Sequence, residues 1–268
     1  VGGTTASDQL VIAIIDDVPS AVNDGPFGVT EDAAPNAVSG NVTGNDSSGA
    51  DAPLEFVSWD GATGDDLSAY GTLVQNPTTG AWSFTLNNSL AATQALTSAD
   101  VKTAVYSYTI KDADGDLDTA TLTVTVTGAN DGATVETPNA EGADSTVYEA
   151  GLPTGSDVQP SDRDIASNTF TVSATDGIAT VVIGGTSFTL AQLQALNGTQ
   201  TVNTGEGVLT LNSYSGTATG GTVNYSYTLS ATIDNDIKPG ATDTEFNDSV
   251  EITVNGVGGT TASDQLVI

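Results

Sequence analysis

Apolar and polar residues alternate with a period of two along most of the chain. In TATLTVTVT (Thr119 to Thr127), the Thr residues share one face and Ala120, Leu122, Val124 and Val126 share the other. Such alternation predicts a half-buried strand. Similar strands are predicted at 54–59, 71–75, 81–86, 104–111, 170–174, 180–183, 208–211, 223–233 and 249–254, with Gly, Pro, Asn and Asp between them. Short strands at this spacing predict an all-β fold of β-sandwiches.

Helical patterns are scarce. Residues 190–196 (LAQLQAL) and 90–101 (LAATQALTSADV) each favour a helix of one or two turns that connects strands. In the first of these, Leu190, Leu193 and Leu196 are expected to close one end of a sandwich.

A long repeat brackets the chain. VGGTTASDQLVI occurs at residues 1–12 and again at 257–268, an offset of 256 residues. This spacing predicts one period of a tandem array plus an overlap. The first copy is expected to be the closing strand of a preceding repeat, with 5–15 either loosely ordered or paired with the open edge of a neighbouring molecule.

A weaker repeat divides the period in two. YSYT occurs at 106–109 and at 225–228, each time on a long predicted strand that leads to an Asp-rich loop. The predicted boundaries are therefore 1–18 for a closing strand and linker, 19–130 for a first sandwich, and 131–268 for a second. The second sandwich is expected to end on the copy of the opening strand.

Composition narrows the possible functions. The net charge is −30, with 34 acidic and four basic residues, and Cys, His and Met are absent. Such a surface repels nucleic acid and anionic membranes. The absence of Cys rules out disulfides, and the absence of both Cys and His argues against zinc, copper and haem sites. No His base, Cys nucleophile or G-x-S-x-G motif supports an enzyme, whereas calcium, which binds oxygen ligands, suits the many carboxylates.

The sharpest local signal is KDADGDLD, residues 111–118. Asp112, Asp114 and Asp116 fall at alternate positions around Gly115, so a tight turn aims three carboxylates at one point. The spacing is not that of an EF-hand, because the glycine stands fourth and Thr123 occupies the twelfth position. A solvated acidic hairpin turn is the alternative interpretation.

Further candidate calcium ligands lie where the predicted domains end. They are Asp16, Asp17, Asn23, Asp24, Glu31, Asn130, Asp131, Glu149, Asp157, Asp234 and Asp236. Carboxylates in a linker that share an ion with the neighbouring domain are expected to stiffen that linker.

Several ordered motifs resemble a known family. Residues 19–130 resemble the VCBS or cadherin-like repeats of giant RTX adhesins, and 131–268 resemble another repeat of the same adhesins. The motifs in the first part are NDGPFGVTEDA (23–33), SGNVTGND (39–46), GTLVQNPTTGAWSFTLNNS (71–89) and YSYTIKDADGDLDTATLTVTVTGAND (106–131). Those in the second are VYEAGLPTGSD (147–157) and TVSATDGIATVVIGGTSFTLAQLQALNGT (171–199).

This resemblance implies two tandem Ig-like or cadherin-like β-sandwich domains, joined end to end, with negligible helix. It implies a calcium-stabilised extender repeat of a surface adhesin in Gram-negative bacteria, secreted by the type I route, which holds a ligand-binding tip away from the cell for attachment and biofilm formation. Neighbouring repeats would be its partners and the chain itself monomeric.

The resemblance also places calcium at domain junctions. That set maps onto Asp16, Asp17, Asn23, Asp24, Glu31, Asp112, Asp114, Asp116, Asn130 and Asp131. The loop 45–54 lacks the family's acidic DxDGD pattern, and 234–248 lacks its regular DADGD turn, so complete sites are not expected there. The alternative function is a calcium-dependent module that binds glycans or surfaces.

Overall fold

A computed structural model of the chain describes residues 2–139, 142–157 and 163–268. The described part is nearly all β, which confirms the predicted fold class. The strands are β1 Asp24–Thr30, β2 Ala37–Asn41, β3 Glu55–Gly64, β4 Gly71–Gln75, β5 Ala81–Leu86, β6 Val101–Lys111, β7 Leu117–Thr127, β8 Ala133–Glu136, β9 Ile165–Ala174, β10 Ile178–Ile183, β11 Thr186–Thr189, β12 Gln200–Asn203, β13 Gly207–Gly216, β14 Gly220–Leu229, β15 Ser249–Gly256 and β16 Thr261–Val267. The helices are α1 Ala91–Gln94 and α2 Leu190–Gln194, with 3-10 turns at Val42–Gly44, Leu67–Ala69 and Glu149–Gly151.

The chain divides into two compact units. The first comprises Val1–Asn87 and Lys102–Val126, and the second comprises Asn88–Val101 and Thr127–Ile268. In the first unit one sheet has the order β1-β7-β6-β3 and the other the order β2-β5-β4. In the second unit the orders are β12-β13-β14-β9-β8 and β11-β10-β15-β16.

The core of the first unit follows the alternation in the sequence. In β7, Ala120, Leu122, Val124 and Val126 are all buried, which confirms the predicted inner face. Opposing side chains come from the other sheet, where Trp82, Phe84 and Leu86 are buried on β5. These inner faces form the interior of the sandwich.

The core of the second unit is built in the same way, with one helical plug. Tyr225, Tyr227 and Leu229 on β14 pack in one cluster with Val250, Ile252 and Val254 on β15. Leu193 in α2 and Leu196 just after it are buried in this cluster, as the pattern predicts, whereas Leu190 is only partly buried. A capping box starts α2, because the Thr189 hydroxyl and the Gln192 side chain each accept a bond from the other's backbone amide.

One predicted strand ends early where its pairing partner begins, although several others are longer than predicted. The strands at 71–75 and 81–86 have their predicted bounds, but the strand predicted over 223–233 ends at Leu229. Its partner β13 begins at Gly207, which pairs with Leu229. Residues beyond Leu229 therefore have no β13 residue opposite them, whatever their β-propensity.

The two copies of VGGTTASDQLVI adopt different structures. Residues 261–267 form β16, paired with β15 from Asn255↔Thr261 to Ser249↔Val267. Residues 2–19 form no strand, and Leu10 and Ile14 expose 89% and 93% of their surface. An identical sequence is thus a strand only where a neighbouring edge is available.

No helix in the described part of the chain is long and apolar enough to span a membrane.

Truncation of the β7 inner face should selectively destabilise the first unit. Leu122→Ala removes a side chain that is fully buried and should lower the free energy of unfolding by about 2–5 kcal/mol. Thr123→Ala, one residue along and less buried, should change it by about 0.5 kcal/mol. Urea unfolding followed by tryptophan fluorescence measures both variants, and equal effects would contradict the assigned inner face.

Candidate metal site

The turn between β6 and β7 is closed by the side chain of Asp112. Its Oδ1 accepts hydrogen bonds from the backbone amides of Gly115 (3.0 Å) and Asp116 (2.8 Å). The Asp112 amide donates to the Asp116 carbonyl at 3.2 Å. Gly115 has a φ of 109°, a left-handed conformation that glycine tolerates best. This turn points three aspartates to one end of the first unit.

Two further aspartates reach the same point from other segments. One carboxylate oxygen from each of Asp16, Asp114 and Asp116 lies within 4.8 Å of the others, and the same holds for Asp51, Asp112 and Asp114. Asp51 is held there because its carbonyl accepts from the Ala113 amide at 3.0 Å. The result is a five-carboxylate cluster, Asp16, Asp51, Asp112, Asp114 and Asp116, with Asp114 common to both triads.

Asp112 is the most enclosed member of the five-carboxylate cluster. Asp112 is only 2% exposed, and its Oδ2 is buried with no hydrogen-bond partner among the described residues. A buried carboxylate oxygen without a donor is costly to desolvate. A cation coordinated by this oxygen would remove that cost.

The crowding shifts the acidity of the turn. Contact with Asp112, then burial, then the charges of Asp112, Asp16 and Asp116 raise the pKa of Asp114 to about 6. Burial, followed by the charges of Asp112 and Asp16, raises the pKa of Asp116. Burial opposes ionisation of Asp112, but the neighbouring carboxyl of Asp114 and the hydrogen bonds that Oδ1 accepts from the Gly115 and Asp116 amides outweigh burial and lower the pKa of Asp112. The cluster is thus an electrostatically strained anionic site.

The nearest basic residue in sequence does not neutralise the cluster. Lys111 ends β6 immediately before Asp112, but its Nζ pairs with Glu55 at 2.9 Å. Calcium takes six to eight oxygen ligands at about 2.3–2.6 Å, so two oxygens on one ion are at most about 5 Å apart. The spacing and the all-oxygen donor set of the cluster fit that ion.

The segment that carries Asp16 is fastened along the same end of the unit. Asp17 Oδ2 accepts from the Ala50 amide at 2.8 Å, and Pro19 is buried. Ser20 and Ser47 exchange two backbone bonds of 2.8 and 3.0 Å. The amide of Ala21 donates to Asp118 and that of Val22 to Asp46. Residues 17–22, which we term the leading segment, are therefore docked onto the first unit.

The other predicted ligands of the first unit have separate roles. Asn23 Oδ1 accepts from the Thr121 amide (3.0 Å) and hydroxyl (2.9 Å), which ties the start of β1 to β7. Asp24 accepts from the Tyr108 hydroxyl at 3.0 Å. Glu31 is buried just after the far end of β1. None of these three belongs to the carboxylate triads found among the described residues.

The predicted ligands in the second unit are dispersed. Asn130 Oδ1 accepts from the Ser98 amide, and the Asp131 amide donates to the Asp176 carboxylate. Asp157 is paired with Arg163 at 3.1 Å. The other three, Glu149, Asp234 and Asp236, line one cavity of about 790 Å³. Within the described residues these acids form no triad close enough to hold an ion.

The predicted ligand set left out two contributors, although both are acidic residues near a predicted domain end. Asp51 comes from the loop 45–54, which lacks the family's DxDGD pattern, and the fold brings it to the turn. The other is Asp46, whose Oδ1 accepts from the Tyr108 hydroxyl at 3.2 Å and the Val22 amide at 2.8 Å. The repeated YSYT motif could have indicated that its second tyrosine binds an acid. In the second unit this tyrosine is Tyr227, and it also donates to a buried acid, Asp248, at 2.6 Å.

Two further carboxylates, those of Asp24 and Asp46, accept hydrogen bonds from the Tyr108 hydroxyl. Burial raises the pKa of Asp24 to about 6, the Tyr108 bond opposes this, and the charge of Asp46 adds to it. Burial likewise raises the pKa of Asp46, against bonds from Val22 and Tyr108. The Tyr108 hydroxyl has one proton to donate to the two carboxylates. Asp24 and Asp46 therefore share this hydrogen-bond donor at neutral pH.

Removing the Asp24 charge should change how stability depends on pH. The folded pKa near 6 exceeds the unfolded value of 3.8, so the native state binds the extra proton and this contribution to stability is lost as pH rises through 6. Between pH 4.5 and 7.5, the free energy of unfolding of Asp24→Asn should rise by about 1 kcal/mol relative to that of wild type. The pKa difference alone corresponds to about 3 kcal/mol, and solvent screening reduces this value.

Urea unfolding in a calcium chelator measures this difference. Asp32→Asn is the matched control, because Asp32 is exposed, lies in the same unit and has a φ of 55° that Asn adopts readily. Its profile gives the reference for loss of one exposed charge from the same unit. A flat profile for Asp24→Asn would contradict the raised pKa.

Comparisons with known proteins bear on the first unit. Residues 16–127 match the family described as bacterial Ig domain. No curated protein sequence matches the chain. Among solved structures, the chain is similar to Protocadherin Gamma B2 extracellular cadherin domains 3-6, at 13% identity and a TM-score of 0.36, over 93% of this chain and 46% of that one.

Two other structures show the same level of likeness. Protocadherin Gamma B2 domains 1-5 match at 15% identity and a TM-score of 0.38, over 94% of this chain and 38% of that one. Human CDH23 EC21-23 matches at 14% identity and a TM-score of 0.33, over 94% of this chain and 68% of that one. The chain thus spans less than half of the two protocadherin chains. Residues 16–127, which hold the whole five-carboxylate cluster, are similar to a bacterial Ig domain.

Proposed function

We propose that this chain is a calcium-stabilised spacer repeat of a bacterial surface adhesin. The observation that carries the proposal is the five-carboxylate cluster, with its donor-less Asp112 oxygen, at the end of an Ig-like unit. The match of residues 16–127 to a bacterial Ig domain supports an adhesion-type repeat.

The ion would link three segments that are distant in sequence. Asp16 precedes the leading segment, Asp51 belongs to the loop before β3, and the remaining carboxylates belong to the β6–β7 turn. Five carboxylates carry five negative charges, so one or two calcium ions reduce the local charge to −3 or −1. Each ion would convert mutual repulsion into a cross-link.

The role of that cross-link would be mechanical. Because ion binding requires the folded arrangement, its free energy adds to the folding free energy. It would also fix residue 16 against the unit, adding an ionic anchor to the hydrogen bonds of the leading segment. The residues that lead into the unit would then have less rotational freedom relative to it.

The remaining features of the role follow from the sequence. We propose sandwich boundaries at 19–130 and 131–268, with 1–18 as a closing strand and linker, and neighbouring repeats of the same chain as partners. The twelve-residue repeat at an offset of 256 supports such an array. An extracellular location on the bacterial surface, reached by type I secretion, would supply the millimolar calcium that weaker extracellular sites use.

Calcium should raise the melting temperature of the first unit. At a calcium concentration about 100-fold above the dissociation constant, the expected rise is roughly 5–10 °C, and magnesium should give less. Asp114→Asn should abolish most of the rise, because Asp114 belongs to both triads. Differential scanning calorimetry in calcium, magnesium and chelator measures this.

Asp32→Asn is again the control, since it removes one charge from the same unit outside the cluster. It should keep the full calcium response. If wild type melts identically in calcium and chelator, the proposed function fails; if Asp114→Asn and Asp32→Asn respond alike, calcium binds elsewhere.

Calcium should also slow amide exchange in the leading segment. Among the described residues, the amides of Ala21 and Val22 each donate one hydrogen bond, to Asp118 and Asp46 respectively. Coordination through Asp16 should make opening of residues 17–22 rarer and slow their exchange about 10-fold. Hydrogen exchange with mass spectrometry measures this. Peptides from β14 are the internal control, and equal slowing there would indicate general stabilisation in place of a local anchor.

A further inference from the structure

The five-carboxylate cluster contains two groups of ligands rather than one. Asp51, Asp112 and Asp114, which we term the inner triad, each place one oxygen within 4.8 Å of the others. Asp16, Asp114 and Asp116, which we term the outer triad, do the same. Two oxygens on one calcium ion are at most about 5 Å apart. The described residues contain no group of four acids with this spacing, so a single ion does not reach all five carboxylates.

The inner triad is held in place by the fold of the first unit. Asp112 is 2% exposed, its Oδ1 is fixed by two backbone amides of the turn, and its Oδ2 is buried without a donor among the described residues. The Ala113 amide donates to the Asp51 carbonyl at 3.0 Å, which holds the loop that carries Asp51 beside the turn. An ion bound here therefore orders little additional chain.

The outer triad depends on a less constrained part of the chain. Asp16 and Asp114 are exposed, and Asp116 is partly buried. Asp16 directly precedes the leading segment, and residues 2–19 form no strand. An ion bound here has to order the chain around Asp16, which costs conformational entropy. In return, that ion links the start of the leading segment to the β6–β7 turn.

Electrostatics and burial together set the order in which the two triads fill. The first ion meets five negative charges, and its own two positive charges leave a net charge of −3 for the second ion, which also shares Asp114 with the first. The second ion therefore binds more weakly, on the order of 10-fold. The inner triad fills first, because the buried Asp112 oxygen gains most from a counter-charge and its ligands are already in place.

We propose that the inner and outer triads bind separate calcium ions in that order, and that only the second ion anchors the leading segment. The first ion stabilises the sandwich, and it depends on Asp51, a residue of the loop 45–54 for which the sequence resemblance implies no complete site. The second ion stiffens the entry to the unit at a higher calcium concentration. Stability of the unit and mobility of its entry therefore respond to different ranges of calcium. This inference rests on the proposed binding of calcium by the five-carboxylate cluster.

Two variants of the full chain, each of nearly unchanged side-chain shape, separate the two ions. Asp16→Asn removes a ligand of the outer triad only, and Asp51→Asn removes a ligand of the inner triad only. Calcium chloride is titrated into chelator-treated protein, and two properties are measured at each concentration. Calorimetry gives the melting temperature of the first unit, and hydrogen exchange with mass spectrometry gives the protection of residues 17–22. In wild type, the melting temperature should reach its plateau at a calcium concentration roughly 10-fold below that needed to slow the exchange.

The two variants should lose opposite responses. Asp16→Asn should keep most of the rise in melting temperature and lose most of the slowing of exchange. Asp51→Asn should lose most of the rise and keep the slowing, at a calcium concentration no higher than in wild type, because no first ion then repels the second. In chelator, Asp51→Asn should melt no lower than wild type, since it removes one charge from a crowded anionic cluster, and this shows that the variant folds. The control Asp32→Asn should keep both responses.

The outcomes distinguish this inference from the proposed function. If wild type shows neither response to calcium, the proposed function fails and the two-ion arrangement fails with it. If wild type responds, but Asp16→Asn and Asp51→Asn each lose both responses together, one ion is bound and only the two-ion arrangement is overturned. It is also overturned if Asp16→Asn loses the rise in melting temperature and keeps the slowing of exchange, because the two triads would then have the opposite roles.

Discussion

The confinement of negative charge at the end of the first unit is the constraint on which the rest of that unit depends. Closing the β6–β7 turn requires Asp112 to bury its carboxylate, and closing the sandwich brings Asp16 and Asp51 to the same place. Each of these steps is favourable for the backbone and unfavourable for the charges. The four basic residues of the chain are too few to balance its 34 acidic residues. A site of this kind couples the state of its surroundings to the integrity of the sandwich.

Each unit solves a related problem with a buried tyrosine. Tyr108 and Tyr227 occupy the same position in the two YSYT motifs, are at most 1% exposed, and donate their hydroxyls to aspartates. Burial of each ring stabilises the sandwich, and each hydroxyl supplies a hydrogen-bond donor to a carboxylate. Asp248 has a second donor in the Thr204 hydroxyl. In both units burial, with the neighbouring carboxylates contributing, raises the tyrosine pKa, so the hydroxyls stay protonated donors at physiological pH.

How much the sequence predicts depends on the range of the interaction. The period-2 pattern of β7 predicted its buried face residue by residue, because alternation is a local property of a strand. The three aspartates of the turn were predicted because they share one hairpin. Asp51 could not be, since it reaches the turn through a backbone bond to Ala113 across 62 positions, and nothing in the loop 45–54 marks it. The strand predicted through 233 ended early because its length is set by a partner strand rather than by its own residues.

The position of β16 at the end of the second unit has a consequence for the order of folding. Its contacts join residues far apart in sequence: Asp144 with Val267 across 123 positions, and Thr137 with Asp264 across 127. Loop closure over such distances costs entropy before any contact is gained. β16 itself pairs with β15 in a local hairpin, from Asn255↔Thr261 to Ser249↔Val267. Completion of this sandwich therefore depends on Thr137 and Asp144 reaching a hairpin that has already formed, and these distant contacts are the late step.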